Sequence, residues 1–444
     1  MKRVLMLINL FIAAGFGVFA QTLGLEQART LGLANSRSLA RYELSIRSSI
    51  LDEKNQLYSM LPSVSAGYSA SVDYLRNWEL VNPVDTFTAG ASFSVTQIIF
   101  QGGKSFIQKA ISAIAAESVR IDALSEYFNV LDSIDNAYYA VLEASATLEA
   151  EKLSLESANM ALSIANIRRE SGMINQGDYL KALSDAESRG NSVNQARRNL
   201  SLTMTKFKIL VGISGTVELE PVDFSEYERI LTRLAAISDE DASALYEEFL
   251  VKVRTSNPAF VRSTLNSKMA EKSHTLTIRD YAPVISATIF GTGLSYSAAN
   301  GFSNSSSGGV SISGRIPVDF WLLNNKLEKD KLALESAAMD FKNAELSLET
   351  EVQTDLLNIF SQAGSVLSSR RSLEYTEKHY QFVLERYRLS QSSVSDLTDA
   401  SALYINSRNS QISGTYSFLR SLSRLRSLTA LEDEKKLLDM FLKD

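Results

Sequence analysis

Proline is scarce in this chain, and its placement constrains the fold more than any other feature. Of 444 residues only 6 are prolines; none lies between Val84 and Glu220, and none follows Pro317. Proline removes a backbone donor and stops helices, and 21 glycines add few further breaks. Very long helices are therefore expected, although a chain of this length would otherwise suggest two or three globular domains. The helical pattern from Lys104 to about Arg169 implies a rod of roughly 100 Å at 1.5 Å per residue, with Ile121, Leu124, Phe128, Leu131 and Tyr138 mainly at three- and four-residue steps. After a turn at Gly172, Val193, Ala196, Leu200, Phe207 and Val211 continue the pattern, so the two helices should pack as an antiparallel coiled coil.

That turn has a second copy. Gly172-Met-Ile-Asn-Gln-Gly-Asp178 places a small residue six positions before an aspartate that opens a helix, and Ser390-Gln-Ser-Ser-Val-Ser-Asp396 repeats the layout between the helical patterns from Asn325 to Arg388 and from Val394 to about Glu432. The first helical pattern, Leu25 to Leu61, ends at Pro62, and its counterpart from Asn257-Pro258 ends near Pro283, 221 residues later. The chain is thus internally duplicated, with a first repeat over 21–212, a connector over 213–241 containing Pro221, a second repeat over 242–432 and a charged tail over 433–444.

Each repeat also holds strands. Val64, Ala66, Tyr68, Ala70, Val72 and Tyr74 alternate with Ser65, Gly67, Ser69, Ser71 and Asp73; Phe87, Ala89, Ala91, Phe93 and Val95 then alternate with Thr88, Gly90, Ser92, Ser94 and Thr96. This is the period of a strand with one apolar face. In the second repeat Val284 to Tyr296 alternates less cleanly, Gly309 to Val318 follows, and Ala298 to Gly309 between them reads as a flexible loop. Tyr74, Trp78 and Phe87 stand near one end of the first hairpin and Phe100, Phe320 and Trp321 near the other, as interfacial girdles or simply as aromatics that favour strands.

Lys2 and Arg3, an apolar run from Val4 to Ala14, and Val18-Phe19-Ala20 before Gln21 form an export signal over 1–20, with cleavage expected after Ala20. There is no cysteine, hence neither a disulfide nor a lipid-anchored N-terminus. Beyond the signal no stretch is long and apolar enough for a transmembrane helix, whereas four strands of about 10 to 13 residues could each cross a bilayer if tilted. Four strands cannot enclose a pore, so a membrane barrel would need several chains. The alternative is a soluble exported coiled-coil protein using β hairpins as interaction tips.

Taken over nearly the whole mature chain, the duplicated order of helix, hairpin, helix, turn and helix resembles the TolC-like outer membrane efflux and secretion channels. Phe100-Gln-Gly-Gly-Lys104 is similar to the glycine pair that follows the family's second strand, while Phe320-Trp-Leu-Leu-Asn-Asn-Lys326 has lost both glycines, and Ser390 replaces the expected tip glycine. The resemblance implies an α+β membrane protein: a trimeric 12-stranded β-barrel, four strands per chain, continued by a long antiparallel α-helical coiled-coil tunnel in the periplasm. It implies a passive exit duct of a tripartite efflux pump or type I secretion system, in contact with outer membrane lipid and joined by a periplasmic adaptor to an inner membrane efflux or ABC transporter. Asp396 and Asp399 would line the entrance as acidic rings, Asp178 and Tyr387 would hold it shut, and Gly172, Gln176, Ser390 and Ser393 would form the adaptor-docking tips. From the residues alone, the aspartates serve equally well as helix caps, Tyr387 as a packed aromatic, and Arg169, Arg386 and Arg388 as ionic partners or solvated charges.

Other functions find little in the sequence. A formal net charge of -6 offers no basic surface for nucleic acid. His274 and His379, the only histidines, lie in no metal or nucleophile spacing, and the glycine-rich stretch near Gly308 lacks the Lys-Ser/Thr pair of a phosphate cradle. No cofactor, metal or catalytic residue is expected.

Overall fold

The computed structural model describes residues 21–75, 84–297, 301–303 and 307–442. The export signal, Trp78 and parts of the Ala298 to Gly309 segment lie outside them, as do the side chains of Tyr74 and Phe87. The chain runs β1 (Gln21–Leu23), α1 (Leu25–Asn35), α2 (Arg37–Tyr58), β2 (Ser63–Leu75), β3 (Val84–Phe100), α3 (Lys104–Glu170), α4 (Gln176–Val211), β4 (Val217–Leu219), α5 (Glu228–Ala235) and α6 (Asp239–Ser256). It continues through α7 (Pro258–Ile278), β5 (Val284–Ser297), β6 (Gly301–Ser303), β7 (Ser307–Arg315), α8 (Phe320–Arg388), α9 (Val394–Thr429) and α10 (Glu434–Leu442). Two compact units form, each assembled from parts of both repeats: Met1–Arg41, Ala123–Pro258 and Leu346–Asp444 in one, Tyr42–Asp122 and Ala259–Glu345 in the other.

The second unit is built around an antiparallel sheet in the order β2-β3-β5, with β6 and β7 both paired to β5. Residues paired across an antiparallel sheet share a face, and here one face is hydroxyl-rich. Ser65 meets Ser94 at 2.7 Å, Thr96 meets Thr288 at 3.1 Å, Ser286 meets Ser313 at 2.9 Å and Thr292 meets Ser307 at 2.6 Å. The opposite face carries Val64, Val95, Ile289 and Val310 in one row, and there Tyr68 is 93% and Ile312 74% exposed. The imperfect alternation of the second repeat has two local causes, a register shift at Gly90/Ala91 that passes over Leu294 and the placement of Phe290 on the hydroxyl face. The segment expected as a loop contains β6, paired to the end of β5.

Both exits from the sheet are held by one carboxylate. Asp280 pairs with Lys104, which follows the glycine pair, at 2.7 Å and with Lys326, on the first turns of α8, at 2.5 Å. Partial burial opposes its ionisation, but the two lysines outweigh that and keep the carboxyl below its usual range. Gly102 stands at φ 65, where an added Cβ would collide with that of Ala282, so the first exit needs glycine for conformation and for space. The second exit needs no glycine because α8 starts directly at Phe320. Trp321 therefore lies in the first turn of a helix, with Phe320 and Trp321 55% and 69% exposed.

In the other unit, α3 and α4 pack through Leu148, Val193 and Ala196 with Leu155 and Leu200 alongside, at the coiled-coil spacing. The connector folds back: Gln21–Leu23 pairs in parallel with Val217–Leu219, and the buried Tyr138 hydroxyl donates to the carbonyls of Leu23 and Glu220 at 3.1 and 2.6 Å. Burial pushes that phenol up to about 12. The segment expected as a charged tail is instead the packed helix α10, with Leu437, Leu438, Met440 and Phe441 buried and Phe441 against Phe249, ring centroids 5.3 Å apart. Its Glu434 belongs to an ion network centred on Asp135, which is fully buried. Asp135 accepts from Arg29 at 2.7 and 2.9 Å, from Arg426 at 2.5 Å and from Ser423 at 2.8 Å, while Arg29 also reaches Glu434 at 2.9 Å. Desolvation works against the Arg29 charge, yet these carboxylates raise its pKa further above the ordinary arginine value.

Candidate functional site

The two tips are built alike, residue for residue. Helix α3 ends with Gly172 N–H donating to Arg169 at 3.0 Å and Met173 N–H to Arg168 at 2.8 Å; α8 ends with Ser390 N–H donating to Tyr387 at 3.1 Å and Gln391 N–H to Arg386 at 2.8 Å. This is the arrangement that satisfies the last carbonyls of a helix when a left-handed residue follows it. Gly172 has φ 73 and Ser390 φ 64, so serine occupies a conformation that favours glycine. The next helices then open on side-chain caps: the Asn175 oxygen accepts from Asp178 N–H at 2.8 Å, and the Ser393 hydroxyl accepts from Asp396 N–H at 3.1 Å. Gln176 is the first residue of α4, and Ser393 is itself the cap of α9.

The paired aspartates differ in what their carboxylates do. Asp396 turns back and accepts from Ser393 N–H at 2.9 Å and from the Ser392 hydroxyl at 3.1 Å, completing a reciprocal cap. Those donors, led by the Ser393 backbone, hold its carboxyl below the usual range. Asp399 lies three residues further on, exposed like Asp396. Asp178 is half-buried, and its charge is felt at the Tyr387 hydroxyl.

Tyr387 is fully buried between the two tips, among Ala161, Ala165, Ala182, Val383, Val394, Leu397 and Ala400. Its hydroxyl donates to the Ala161 carbonyl at 3.4 Å. Burial raises its pKa first of all; Arg168 opposes the rise and Asp178 adds to it. Arg168 is the residue that sequence reasoning missed. It lies under the Tyr387 ring, 4.3 Å from the centroid, and donates to the Tyr387 carbonyl. The signal was present in the spacing: Ala158, Ala161, Ala165 and Arg168 fall at three- and four-residue steps and are all buried, so the arginine occupies a seam position. The other arginines are engaged nearby. Arg169 stacks on Tyr179 at 4.2 Å, Arg386 donates to the Gln391 carbonyl at 3.0 Å and Arg388 pairs with Glu385 at 2.7 Å. Lys181 of α4 donates to the Ser395 hydroxyl of α9 at 2.7 Å, a second link between the tips.

Comparison with known proteins gives this architecture a context. Among curated proteins no sequence matches the chain. Solved structures do match in fold: the Campylobacter jejuni CmeC outer membrane channel at 16% identity and a TM-score of 0.75, covering 94% of this chain and 89% of that one; CusC at 14% and 0.77, covering 95% of each; and the open state of the Neisseria gonorrhoeae MtrE outer membrane channel at 15% and 0.70, covering 94% and 93%. The family model described as outer membrane efflux protein matches residues 30–210 and again 250–431, one match within each repeat. On that duplicated match, which takes in most of the sequence, the chain belongs to the outer membrane efflux protein family.

Proposed function

We propose that the protein is a passive exit duct across the outer membrane, three copies closing their sheets into one 12-stranded barrel continued by a helical tunnel. The observation that carries this reading is the sheet itself. One face is lined by hydroxyls and the other leaves Val64, Tyr68, Val310 and Ile312 exposed, while β2 and β7 end the sheet with open edges among the described residues. Apolar surface in such an arrangement suits lipid on one side and water on the other, and open edges are satisfied when neighbouring copies pair. Among the described residues no helix is long and apolar enough to cross a membrane.

With no energy-converting site expected, transport would be driven by an inner membrane efflux or ABC transporter, joined through a periplasmic adaptor at Gly172, Gln176, Ser390 and Ser393. The family relationship and the polar, outward-turned caps support this assignment. Because the chain lacks cysteine, single cysteines placed on β2 and on β7 test the assembly: oxidation should give a covalent three-chain ring in the outer membrane fraction. Crosslinking that stops at a dimer, or a protein recovered in the soluble periplasmic fraction, sinks the duct.

For the entrance, we infer that Asp396 and Asp399 of three copies form acidic rings, with Asp178 and Tyr387 holding the tips closed. A carboxylate capped as Asp396 is stays charged, which a ring requires. Ser393, the cap of α9, keeps its hydroxyl on the residue-396 N–H whether that residue is aspartate or asparagine. Asp396→Asn with Asp399→Asn should therefore leave assembly intact, while lowering cation over anion preference in planar bilayers and raising the trivalent-cation concentration needed for half block. Glu377→Gln, at an exposed position on α8, should do neither. Unchanged selectivity in a normally assembled channel would make both aspartates caps alone.

A further inference from the structure

The hydroxyl-rich face of the sheet holds one side chain out of character. In the row Ser65, Ser94, Phe290 and Gly309, the strand partners are two hydroxyls, a phenyl ring and a glycine. The adjoining rows are Ser63, Thr96, Thr288 and Ser311 on one side and Gly67, Ser92, Thr292 and Ser307 on the other. Among the described strands the other large apolar residues at register positions of this face lie toward its ends, Ile98 and Val284 beside Pro62 and Pro283, and the pair Leu75 and Val84 at the far end of the first hairpin. Phe290 therefore stands alone in the middle of a polar surface.

Its neighbour across the strand makes room for it. An added Cβ at Gly309 would lie 3.1 Å from the tip of the Phe290 ring, so the ring leans over the glycine and not over solvent alone. The ring is nonetheless 42% exposed. Phe93, also large and 48% exposed, lies on the opposite, apolar face in the row of Ala66 and Gly291, where an aromatic needs no special account.

We infer that Phe290 is a contact point for solute inside the duct: an aromatic collar, one ring from each copy, that holds the apolar or aromatic face of amphiphilic organic cations as they pass. This rests on the duct reading above, which turns the hydroxyl face inward. Hydroxyl walls offer hydrogen bonds to any hydrated solute and discriminate little. A phenyl face adds affinity for apolar surface and, through its quadrupole, for organic cations. Seated on Gly309, the ring is pre-positioned and loses little freedom when a solute touches it.

Two measurements on the assembled protein separate this inference from the reading beneath it. In outer membrane vesicles, Phe290→Cys should react with a charged, membrane-impermeant thiol reagent and Phe93→Cys should not. The reverse pattern would turn the sheet inside out and remove the duct reading. In planar bilayers, tetraphenylphosphonium added from the barrel side should block potassium current through the wild-type channel, and Phe290→Ser should raise the half-block concentration about tenfold. Phe93→Ser should leave it unchanged, and block by hexaamminecobalt(III), a hydrophilic cation with no apolar or aromatic surface, should differ little between wild type and Phe290→Ser. A water-accessible thiol in Phe290→Cys combined with unaltered tetraphenylphosphonium block in Phe290→Ser overturns the collar and leaves the duct standing.

Discussion

Ser390 and Ala430 are the non-glycine residues with positive φ among the described residues, at 64 and 51, and each has a glycine counterpart in the first repeat. Gly172 precedes Ser390 and Gly212 precedes Ala430 by the same 218 residues, so both substitutions fall on helix C-termini of the second copy. A side chain in that conformation costs about 1–2 kcal/mol. Ser390→Gly should therefore raise the thermal midpoint of the extracted protein, corresponding to about 1 kcal/mol, and Gly172→Ser should lower it by a similar amount. Gly212→Ala should cost more than Gly172→Ser. A Cβ at Gly212 would come within 2.8 Å of the Asn35 side chain, which donates to the Val211 carbonyl, whereas nothing lies within 4 Å of one at Gly172. The Asp396 cap adds a dependence on pH. Its folded pKa lies below the unfolded one, so the stabilisation is complete above the ordinary aspartate range and is lost as pH falls through the lowered value. Stability compared between wild type and Asp396→Asn should differ most near neutrality and converge in acid; a gap that is constant down to the acid limit would mean that the reciprocal cap contributes nothing.

At the scale of elements, the Asp135 network decides whether α1, α9 and α10 hold together around α3. Asp135→Asn would leave Arg29 and Arg426, 6% and 2% exposed, facing an amide, and breaking a buried pair from one side costs about 3–5 kcal/mol. Glu434→Gln should cost less, because Arg29 and Arg426 keep Asp135. Limited proteolysis checks the order: Asp135→Asn should expose cleavage sites in α1 and α10 well before Glu434→Gln does. This network also marks the limit of what the sequence makes legible. The rods, the strands, both tips and the duplication announce themselves through proline placement and periodicity, which act over tens of residues. The tail over 433–444 looks charged because Glu434, Lys435 and Lys436 precede its apolar residues, and the contacts that pack α10, Phe441 against Phe249 and Glu434 with Arg29 from the far end of the chain, leave no local pattern. β1 and β4 are three residues each, too short to show a period. At the tips Asp396 and Ser390 could be singled out from their repeated spacing and Tyr387 from the family resemblance, but Arg168 looked like one more charge beside Arg169 until Tyr387 was seen over it.

For the molecule as a whole, the mixing of the repeats in both compact units bears on the order in which the chain can acquire structure. The sheet is joined through β3 and β5, where Thr96 and Thr288 meet across 192 residues, and the ion network brings Arg29 to Glu434 across 405. Loop closure over such separations has to precede the contacts that reward it, which makes folding slow. Neither unit can therefore close while the chain is still emerging from its N-terminus. The first repeat made alone, residues 21–212, would hold Asp135 and Arg29 without Arg426 or Glu434, and β3 without β5. It should give helical circular dichroism with no cooperative unfolding transition, and mixing it with a separately made second repeat should restore one. A cooperative transition in the isolated repeat would mean that the duplicated halves are independent folding units after all. Until α10 arrives the unit that holds Asp135 stays incomplete, and the second half of the chain acts as the template on which the first half sets.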